Sequence, residues 1–124
     1  MPCHEEMVAA VNAYVDAFEK EDSEAIARLY ATDATVEDPV GTSLRSGIDA
    51  IRSFYEMSIA TGARLTLNGP VRTAGDIAAF AFSVHATLEG VLYRIDVIDT
   101  FTFNANGKIT EMKAFWGPRN VHQL

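Results

Sequence analysis

The first part of the chain carries apolar residues at helical spacing. Between residues 4 and 20 they recur at steps of three and four, which places them on one stripe of an amphipathic helix. Tyr14 lies in the middle of this otherwise apolar stripe. The members of the stripe are Met7, Val8, Val11, Tyr14, Val15 and Phe18.

Two further helices are predicted before residue 63. A cap at Asp22 or Ser23 starts a second, shorter helix that runs through Tyr30. The segment 46–49 resembles a capping box in which Asp replaces the usual Glu, and it opens a third helix that ends at residues 61–62. The inward positions of these two helices are Ile26, Leu29, Tyr30, Ile48, Ile51, Phe54, Tyr55 and Ile59.

The second half of the chain is typical of β-strands. Turn signals separate runs rich in β-branched and aromatic residues near 63–73, 77–89, 91–104 and 108–117. The short connections between them indicate antiparallel hairpins. Because the helices precede the strands and do not alternate with them, the sequence predicts a single α+β domain over residues 1–124, with three N-terminal helices packed on one face of a curved antiparallel sheet.

The two-residue period of a strand directs two acidic side chains onto apolar faces. In the run 91–104, Asp99 shares one face with tyrosine, aliphatic and phenylalanine side chains. In the segment 34–38, Asp38 falls on the face of Ala34 and Val36, and Pro39 then holds the chain extended. The sequence therefore predicts two inward carboxyl groups.

A buried carboxylate costs several kcal/mol unless it is paired, and an unpaired one normally takes up a proton. A β-bulge or a strand end that turns each aspartate out to solvent would avoid this free-energy cost. The alternative is a dry pocket, where one acid stays neutral and donates a hydrogen bond beside Tyr14 while the other moves protons. Two such acids together with a tyrosine in a helical stripe favour the pocket.

Composition and charge narrow the class of partner. The chain has 124 residues, 48% of them hydrophobic, and its 17 acidic against 10 basic residues give a net charge of −7. This balance disfavours binding to nucleic acid or to an anionic membrane surface, and no apolar stretch approaches the ~18 residues that span a bilayer. The single Cys3 forms no internal disulfide and the first residues do not resemble a secretory signal, so a cytoplasmic location is expected.

Other chemistries find little support. The histidines His4, His85 and His122 lack the spacing of metal ligands, so no metal site is predicted. Cys3 has no local basic partner and reads as an inert, exposed thiol. The glycines are scattered among turns rather than gathered in a phosphate loop, and no seryl nucleophile motif is present.

Three segments carry a family resemblance that extends over nearly the whole chain. They are residues 31–41 (ATDATVEDPVG), 95–103 (IDVIDTFTF) and 107–116 (GKITEMKAFW). With Tyr14 in the first helix, they make the sequence similar to the bacterial ketosteroid isomerases of the nuclear transport factor two-like superfamily. The resemblance implies a cone-shaped, cystatin-like fold that encloses an apolar pocket.

The resemblance also implies a reaction, because Tyr14, Asp38 and Asp99 fall at the functional positions of the family. Asp38 would be the general base that moves a proton within a β,γ-unsaturated 3-ketosteroid, so that the double bond enters conjugation through a dienolate. Tyr14 and a protonated Asp99 would donate hydrogen bonds to the developing oxyanion; this family is itself a standard illustration of such pKa tuning. The shuttle needs only side chains, so no cofactor is expected.

Further roles follow from the same resemblance. Tyr30 and Tyr55 match tyrosines that support Tyr14 through hydrogen bonds in one branch of the family, although both also suit an ordinary core. Ala86 and the segment 94–96 depart from the pattern of the family, and Arg45 lies near the expected pocket mouth. The resemblance therefore does not specify which substituents the distal steroid ring can carry. The residues that match the wall of the steroid pocket are Phe54, Phe80, Phe82, Val84, Phe101, Met112 and Trp116.

Two other functions compete with the isomerase. A non-catalytic protein that binds an apolar ligand could keep the same pocket, because one fold supports many functions. A related lyase or hydratase for a polyketide or terpenoid would need further polar groups near Asp38 to position water, and the sequence does not indicate them. A homodimer is expected from the family, with the mixed strand face around residues 81–87 and 94–98 as a weak hint.

Overall fold

Three helices lie along one side of a sheet. The computed structural model describes residues 2–124, with helices α1 at His4–Glu19, α2 at Ser23–Ala27 and α3 at Ile48–Ala60. The prediction that α2 reaches Tyr30 was wrong. The carbonyl of Leu29 accepts a hydrogen bond from the Ile109 N–H at 2.8 Å, which ties the chain to a neighbouring strand just where a longer helix would continue.

The start of α3 also differs from the prediction. Its N-cap is Gly47 rather than Ser46, and no side-chain capping bond forms there. Gly47 has φ +88°, a conformation that a residue without a Cβ adopts at little cost, and its N–H donates to the Ala34 carbonyl at 2.9 Å. The capping box expected from the sequence is therefore replaced by a backbone connection to the sheet.

Within residues 2–124 the sheet contains eight strands. The predicted run 63–73 divides into two strands that both pair with the long strand following them, since the Gly69-Pro70 segment interrupts it. The main path runs β2-β1-β7-β6-β5-β3, with β4 beside β5 and β8 beside β6. The strands are β1 Tyr30–Glu37, β2 Arg45–Ser46, β3 Arg64–Leu67, β4 Arg72–Ala74, β5 Ile77–Leu88, β6 Val91–Phe103, β7 Ile109–Phe115 and β8 Val121–Gln123.

One strand pair departs from the antiparallel pattern. The strands β1 and β7 run parallel, with Val36 opposite Met112, whereas the other pairs in the sheet are antiparallel. The predicted α+β class, with three helices against a curved sheet, is confirmed, and the sheet is mixed but mostly antiparallel. The parallel pair brings the end of β1 beside the end of β7.

The core lies between the helices and the inner face of the sheet. On β6, Val97, Asp99, Phe101 and Phe103 are buried, while the intervening Ile98 is half exposed, as the two-residue period predicted. Among residues 2–124, no helix is both long enough and apolar enough to cross a membrane. The largest fully buried side chains are Tyr55, Phe80, Phe101, Met7, Ile26, Ile51, Ile109, Met112, Val11, Val36 and Asp99.

Candidate active site

A cavity of about 210 Å³ lies between the helices and the inner face of the sheet. Its wall combines the tyrosine and the two aspartates that the strand and helix periods directed inward. The lining consists of Tyr14, Phe18, Asp38, Phe54, Tyr55, Ser58, Thr61, Ala63, Leu65, Phe82, Val84, Ala86, Leu88, Ile95, Val97, Asp99 and Trp116. The wall is thus mostly apolar, but it includes carboxyl and hydroxyl groups that can accept or donate a proton.

Asp99 is buried at the centre of the inner face, with 1% of its surface exposed. Phe80 on β5 and Ala114 on β7 lie directly opposite it on the neighbouring strands. Neither of its carboxyl oxygens has a hydrogen-bond partner among residues 2–124. Burial, and to a lesser degree the charge of Asp38, raise the pKa of Asp99 well above its ordinary value, so the neutral acid is the form that this site favours.

Asp38 follows the last residue of β1 and is partly buried. Its Oδ1 accepts a hydrogen bond from Trp116 Nε1 at 2.8 Å. Burial raises the pKa of Asp38, while the Trp116 hydrogen bond and the nearby charge of Arg45 oppose that rise. Of the two acids, Asp38 is the one with groups that favour its ionised form.

Trp116 owes its contact with Asp38 to the parallel pairing of β1 with β7. The Val40 N–H donates to the Ala114 carbonyl at 2.8 Å, so the chain beyond β1 continues alongside the end of β7. Trp116 lies two residues past Ala114 and lines the cavity. The sequence had suggested Trp116 for the pocket wall only, and its second contact depends on a pairing that no local pattern indicates.

Three tyrosine hydroxyls form a chain behind the cavity. Tyr14 donates to Tyr55 at 3.2 Å, and the hydroxyls of Tyr55 and Tyr30 are 2.5 Å apart. Tyr55 therefore bonds Tyr14 directly, whereas Tyr30 is connected to it through Tyr55. Burial is the main cause that raises the pKa of all three hydroxyls well above the ordinary value, which keeps them protonated and able to donate.

Aromatic rings hold Tyr14 in place. Its ring meets Phe101, Phe18, Tyr55 and Phe80 edge to face, with centroid distances of 5.1, 5.3, 5.7 and 6.3 Å. Such pairs add about 0.5–1.5 kcal/mol each beyond the area they bury. The helix α1 supplies Tyr14, but the sheet and α3 set its orientation.

The expected wall residues divide into two groups. Phe54, Phe82, Val84 and Trp116 line the cavity. Phe80, Phe101 and Met112 are no more than 2% exposed and lie behind the lining, where the two phenylalanines contact Tyr14. Apart from Tyr14, Asp38, Tyr55 and Asp99, the lining includes residues that were not among the predicted wall residues, namely Phe18, Ser58, Thr61, Ala63, Leu65, Ala86, Leu88, Ile95 and Val97.

Part of this lining carried a usable signal. The resemblance named Phe82 and Val84, and the two-residue period of β5 places Ala86 and Leu88 on the same face. Phe18 belongs to the same helical stripe as Tyr14. The contributions of Ser58 and Thr61 depend on how the end of α3 meets the sheet, which the sequence does not specify.

Arg45 stands beside the open side of the site. Its guanidinium carbon lies 4.3 Å from the centroid of the Phe54 ring, within the range of a cation–π contact. Arg45 and Asp38 also share a second, more open hollow with residues 42–44. Arg45 is thus close enough to Asp38 for its charge to oppose the rise in the pKa of that carboxyl group.

The three histidines lie apart from this site. His4 Nδ1 is 2.8 Å from Thr73 Oγ1, His122 Nε2 is 3.3 Å from Asp96 Oδ2, and His85 pairs across the sheet with Arg94. In the described part of the chain, residues 2–124, no group of three His, Cys, Asp or Glu side chains could hold a metal ion.

Comparison with known proteins connects this geometry to a family. The sequence model of a family described as a SnoaL-like domain matches residues 11–112. The chain is 44% identical over 117 residues to the steroid Delta-isomerase of Nocardioides simplex, and the match covers 94% of each chain. It is 26% identical over 126 residues to the epoxide hydrolase LasB of Streptomyces lasalocidi. This match covers 83% of this chain and 44% of that protein.

A solved structure supports the same fold. The epoxide hydrolase/cyclase-like enzyme SalBIII, described as acting in pyran ring formation in the polyether salinomycin, superposes with a TM-score of 0.94. The sequence identity is 25%, and the superposition covers 100% of both chains. The arrangement of helices and sheet is thus shared with an enzyme whose described role concerns a different class of compound.

Proposed function

Because this chain belongs to the SnoaL-like family, and because its cavity brings Asp38 together with the buried Tyr14 and Asp99, we propose that it is a steroid delta-isomerase. It moves the double bond of a β,γ-unsaturated 3-ketosteroid into conjugation with the carbonyl group. The relative that is 44% identical over 94% of both chains carries the name steroid Delta-isomerase. The observation that carries the proposal is the presence of Asp38, Asp99 and Tyr14 on the wall of one apolar cavity.

Asp38 is the proposed general base. As a carboxylate it removes a proton from the carbon between the carbonyl group and the double bond, and the electrons pass to the carbonyl oxygen to give a dienolate. Asp38 then returns the proton two carbons further along, which leaves the conjugated ketone and the free carboxylate. A raised pKa suits this role because a base whose pKa lies closer to the working pH both accepts and releases a proton readily.

Tyr14 and Asp99 are the proposed donors to the oxygen of the dienolate. Both are buried on the cavity wall, and the pKa of each is raised, so each keeps the proton that it donates. Once Tyr14 turns its proton to the substrate, Tyr55 can donate to Tyr14 and Tyr30 to Tyr55. Removal of one donor of this kind typically lowers the rate about 10²–10³-fold.

The proposed reaction needs no group beyond these side chains. A proton leaves one carbon and returns to another, so no atom or electron is exchanged with a cofactor. A steroid seated against the apolar wall around Asp38 and Asp99 would displace water, which would otherwise compete for the proton and weaken the hydrogen bonds to the oxyanion.

The proposal is tested by the ultraviolet absorbance of the conjugated enone as it forms from a β,γ-unsaturated 3-ketosteroid. The wild-type protein should isomerise this substrate far faster than solution does, and Asp38→Asn should lose nearly all of that rate because its amide cannot accept the proton. Asp33→Asn, at an exposed position of β1, is the matched control and should keep wild-type activity. No wild-type rate above that of solution would contradict the proposal, and tight steroid binding without turnover would indicate a carrier instead.

Three further expectations concern the whole protein: one domain over residues 1–124, a cytoplasmic location and a homodimer. The homodimer draws support from large apolar side chains on the outer face of the sheet, where Leu92, Ile98 and Phe115 are 45%, 50% and 46% exposed. Sedimentation tests it, and a monomer at micromolar concentration would contradict it. Cell fractionation tests the location.

A further inference from the structure

One end of the cavity carries two aliphatic hydroxyl groups. Ser58 and Thr61 line the wall, and both are partly buried. The other polar side chains of the lining belong to the proposed proton-transfer group and its neighbours, namely Tyr14, Asp38, Tyr55, Asp99 and Trp116. The rest of the wall is apolar, so Ser58 and Thr61 are a separate polar spot, called here the hydroxyl pair.

The hydroxyl pair lies away from Asp99 along two elements. On α3 and its cap, Thr61 is six residues beyond Tyr55, a rise of about 9 Å. The Thr61 carbonyl accepts a hydrogen bond from the Thr87 N–H at 3.1 Å, near the end of β5, whereas Asp99 pairs with Phe80 near its beginning. A fused-ring skeleton with its carbonyl at Asp99 therefore extends toward the hydroxyl pair.

Both hydroxyl protons are already used. Ser58 Oγ donates to the Phe54 carbonyl at 3.1 Å, and Thr61 Oγ1 donates to the Ser58 carbonyl at 2.6 Å. A hydroxyl group has one proton and two lone pairs, so each oxygen retains its ability to accept. The hydroxyl pair consequently offers acceptors to a ligand and has no spare donor.

The residues around the hydroxyl pair strengthen its preference for a ligand group that donates a hydrogen bond. Ala63, Leu65, Ala86 and Leu88 form the adjacent wall, and none of their side chains can hydrogen-bond. A hydroxyl group on the ligand can donate to Ser58 or Thr61 without disturbing any existing bond. A ketone oxygen only accepts, and would have to draw one of these protons away from its backbone carbonyl.

We propose that Ser58 and Thr61 are specificity-determining residues that favour a steroid with a hydroxyl group on its distal ring over one with a ketone at the same carbon. The inference rests on the proposed function, because that function sets which end of the steroid lies at Tyr14 and Asp99. The inference specifies the substituent on the steroid ring at the opposite end of the cavity, which the family resemblance and the similar proteins do not specify.

The test compares two β,γ-unsaturated 3-ketosteroids that differ only in a hydroxyl or a ketone at carbon 17. The wild-type kcat/KM should favour the hydroxyl substrate about twofold to tenfold, the value of one net hydrogen bond. The difference should lie mainly in KM, because this contact is the same in the ground state and the transition state. A wild-type ratio of one, or a ratio in favour of the ketone, would overturn the proposal.

Variants separate the hydroxyl pair from a general effect on the cavity. Ser58→Ala should lower the ratio, and Ser58→Ala combined with Thr61→Val should bring it close to one. Ser53→Ala and Thr66→Val, at exposed positions of α3 and β3, should keep the wild-type ratio. A ratio that stays at the wild-type value in Ser58→Ala and in the double variant would show that other groups make the distinction.

Binding distinguishes a failure of this inference from a failure of the proposed function. The affinities of the two corresponding 4-en-3-one steroids, measured by calorimetry, require no turnover. If the wild-type protein isomerises neither substrate, the isomerase proposal fails, and the affinity ratio alone then decides whether the hydroxyl pair selects its ligand. Equal affinities would overturn the inference, whereas a twofold to tenfold preference for the hydroxyl steroid that Ser58→Ala removes would support it.

Discussion

The buried carboxyl of Asp99 should leave a measurable mark on how stability depends on pH. In the unfolded chain an aspartate has a pKa of about 3.9, whereas burial raises the pKa of the folded Asp99 well above that value. Between these two pKa values the folded protein keeps a proton that the unfolded chain releases. Raising the pH through this interval therefore favours unfolding, and lowering it favours the folded state.

The magnitude follows from the linkage between proton binding and folding. One proton kept only by the folded state changes the free energy of unfolding by about 1.4 kcal/mol per pH unit. Because Asp99 is 1% exposed, solvent does not screen this effect appreciably. Over two pH units within the interval the loss is about 2.7 kcal/mol, a large part of the 5–15 kcal/mol that stabilises a typical domain.

Urea denaturation at fixed protein concentration, from pH 5 to pH 9, measures the effect. The Asp99→Asn variant has an uncharged side chain of similar shape at every pH, so the difference in unfolding free energy, wild type minus variant, should fall as the pH rises and level off where the folded Asp99 ionises. Asp33→Asn, on the exposed side of β1, controls for the chemical change and should retain the wild-type slope. Equal slopes in the wild type and Asp99→Asn would refute the argument that burial keeps Asp99 neutral.

Two more variants probe the hydrogen bonds made by Asp38 and Tyr14. Trp116→Phe removes the hydrogen bond that lowers the pKa of Asp38, so the acid limb of the profile of kcat/KM against pH should move to higher pH; an unmoved limb would mean that the bond does not tune the base. Tyr55→Phe disconnects Tyr14 from Tyr30 and should lower kcat about twofold to tenfold with little change in KM. A steady-state kcat equal to that of the wild type would show that the tyrosine chain does not assist Tyr14.

The inward position of Asp99 was predictable because β6 obeys a strict local rule. It is paired on both sides over much of its length, so its side chains alternate between the two faces without interruption there, and the period read from the sequence placed Asp99 correctly. The stripe on α1 similarly placed Tyr14 in the core. Local periodicity was sufficient wherever an element is long and regular.

Contacts between distant segments were not predictable in this way. The bond from Trp116 to Asp38 joins residues 78 positions apart and depends on the parallel pairing of β1 with β7. The end of α2 and the start of α3 are likewise decided by backbone bonds to other segments, at Leu29 and Gly47. Local propensity competes with tertiary contacts at such places, and the tertiary contacts prevail.

At position 99, folding stability and the proposed catalysis favour different residues. An apolar residue of similar volume would remove two unpaired oxygens from the core, and such exchanges are often neutral or stabilising. The same exchange would remove the proposed acid. A related protein that no longer needs catalysis could therefore gain stability by a single substitution at this position while keeping its cavity. The change from an enzyme to a ligand carrier would then make the free energy of folding more favourable.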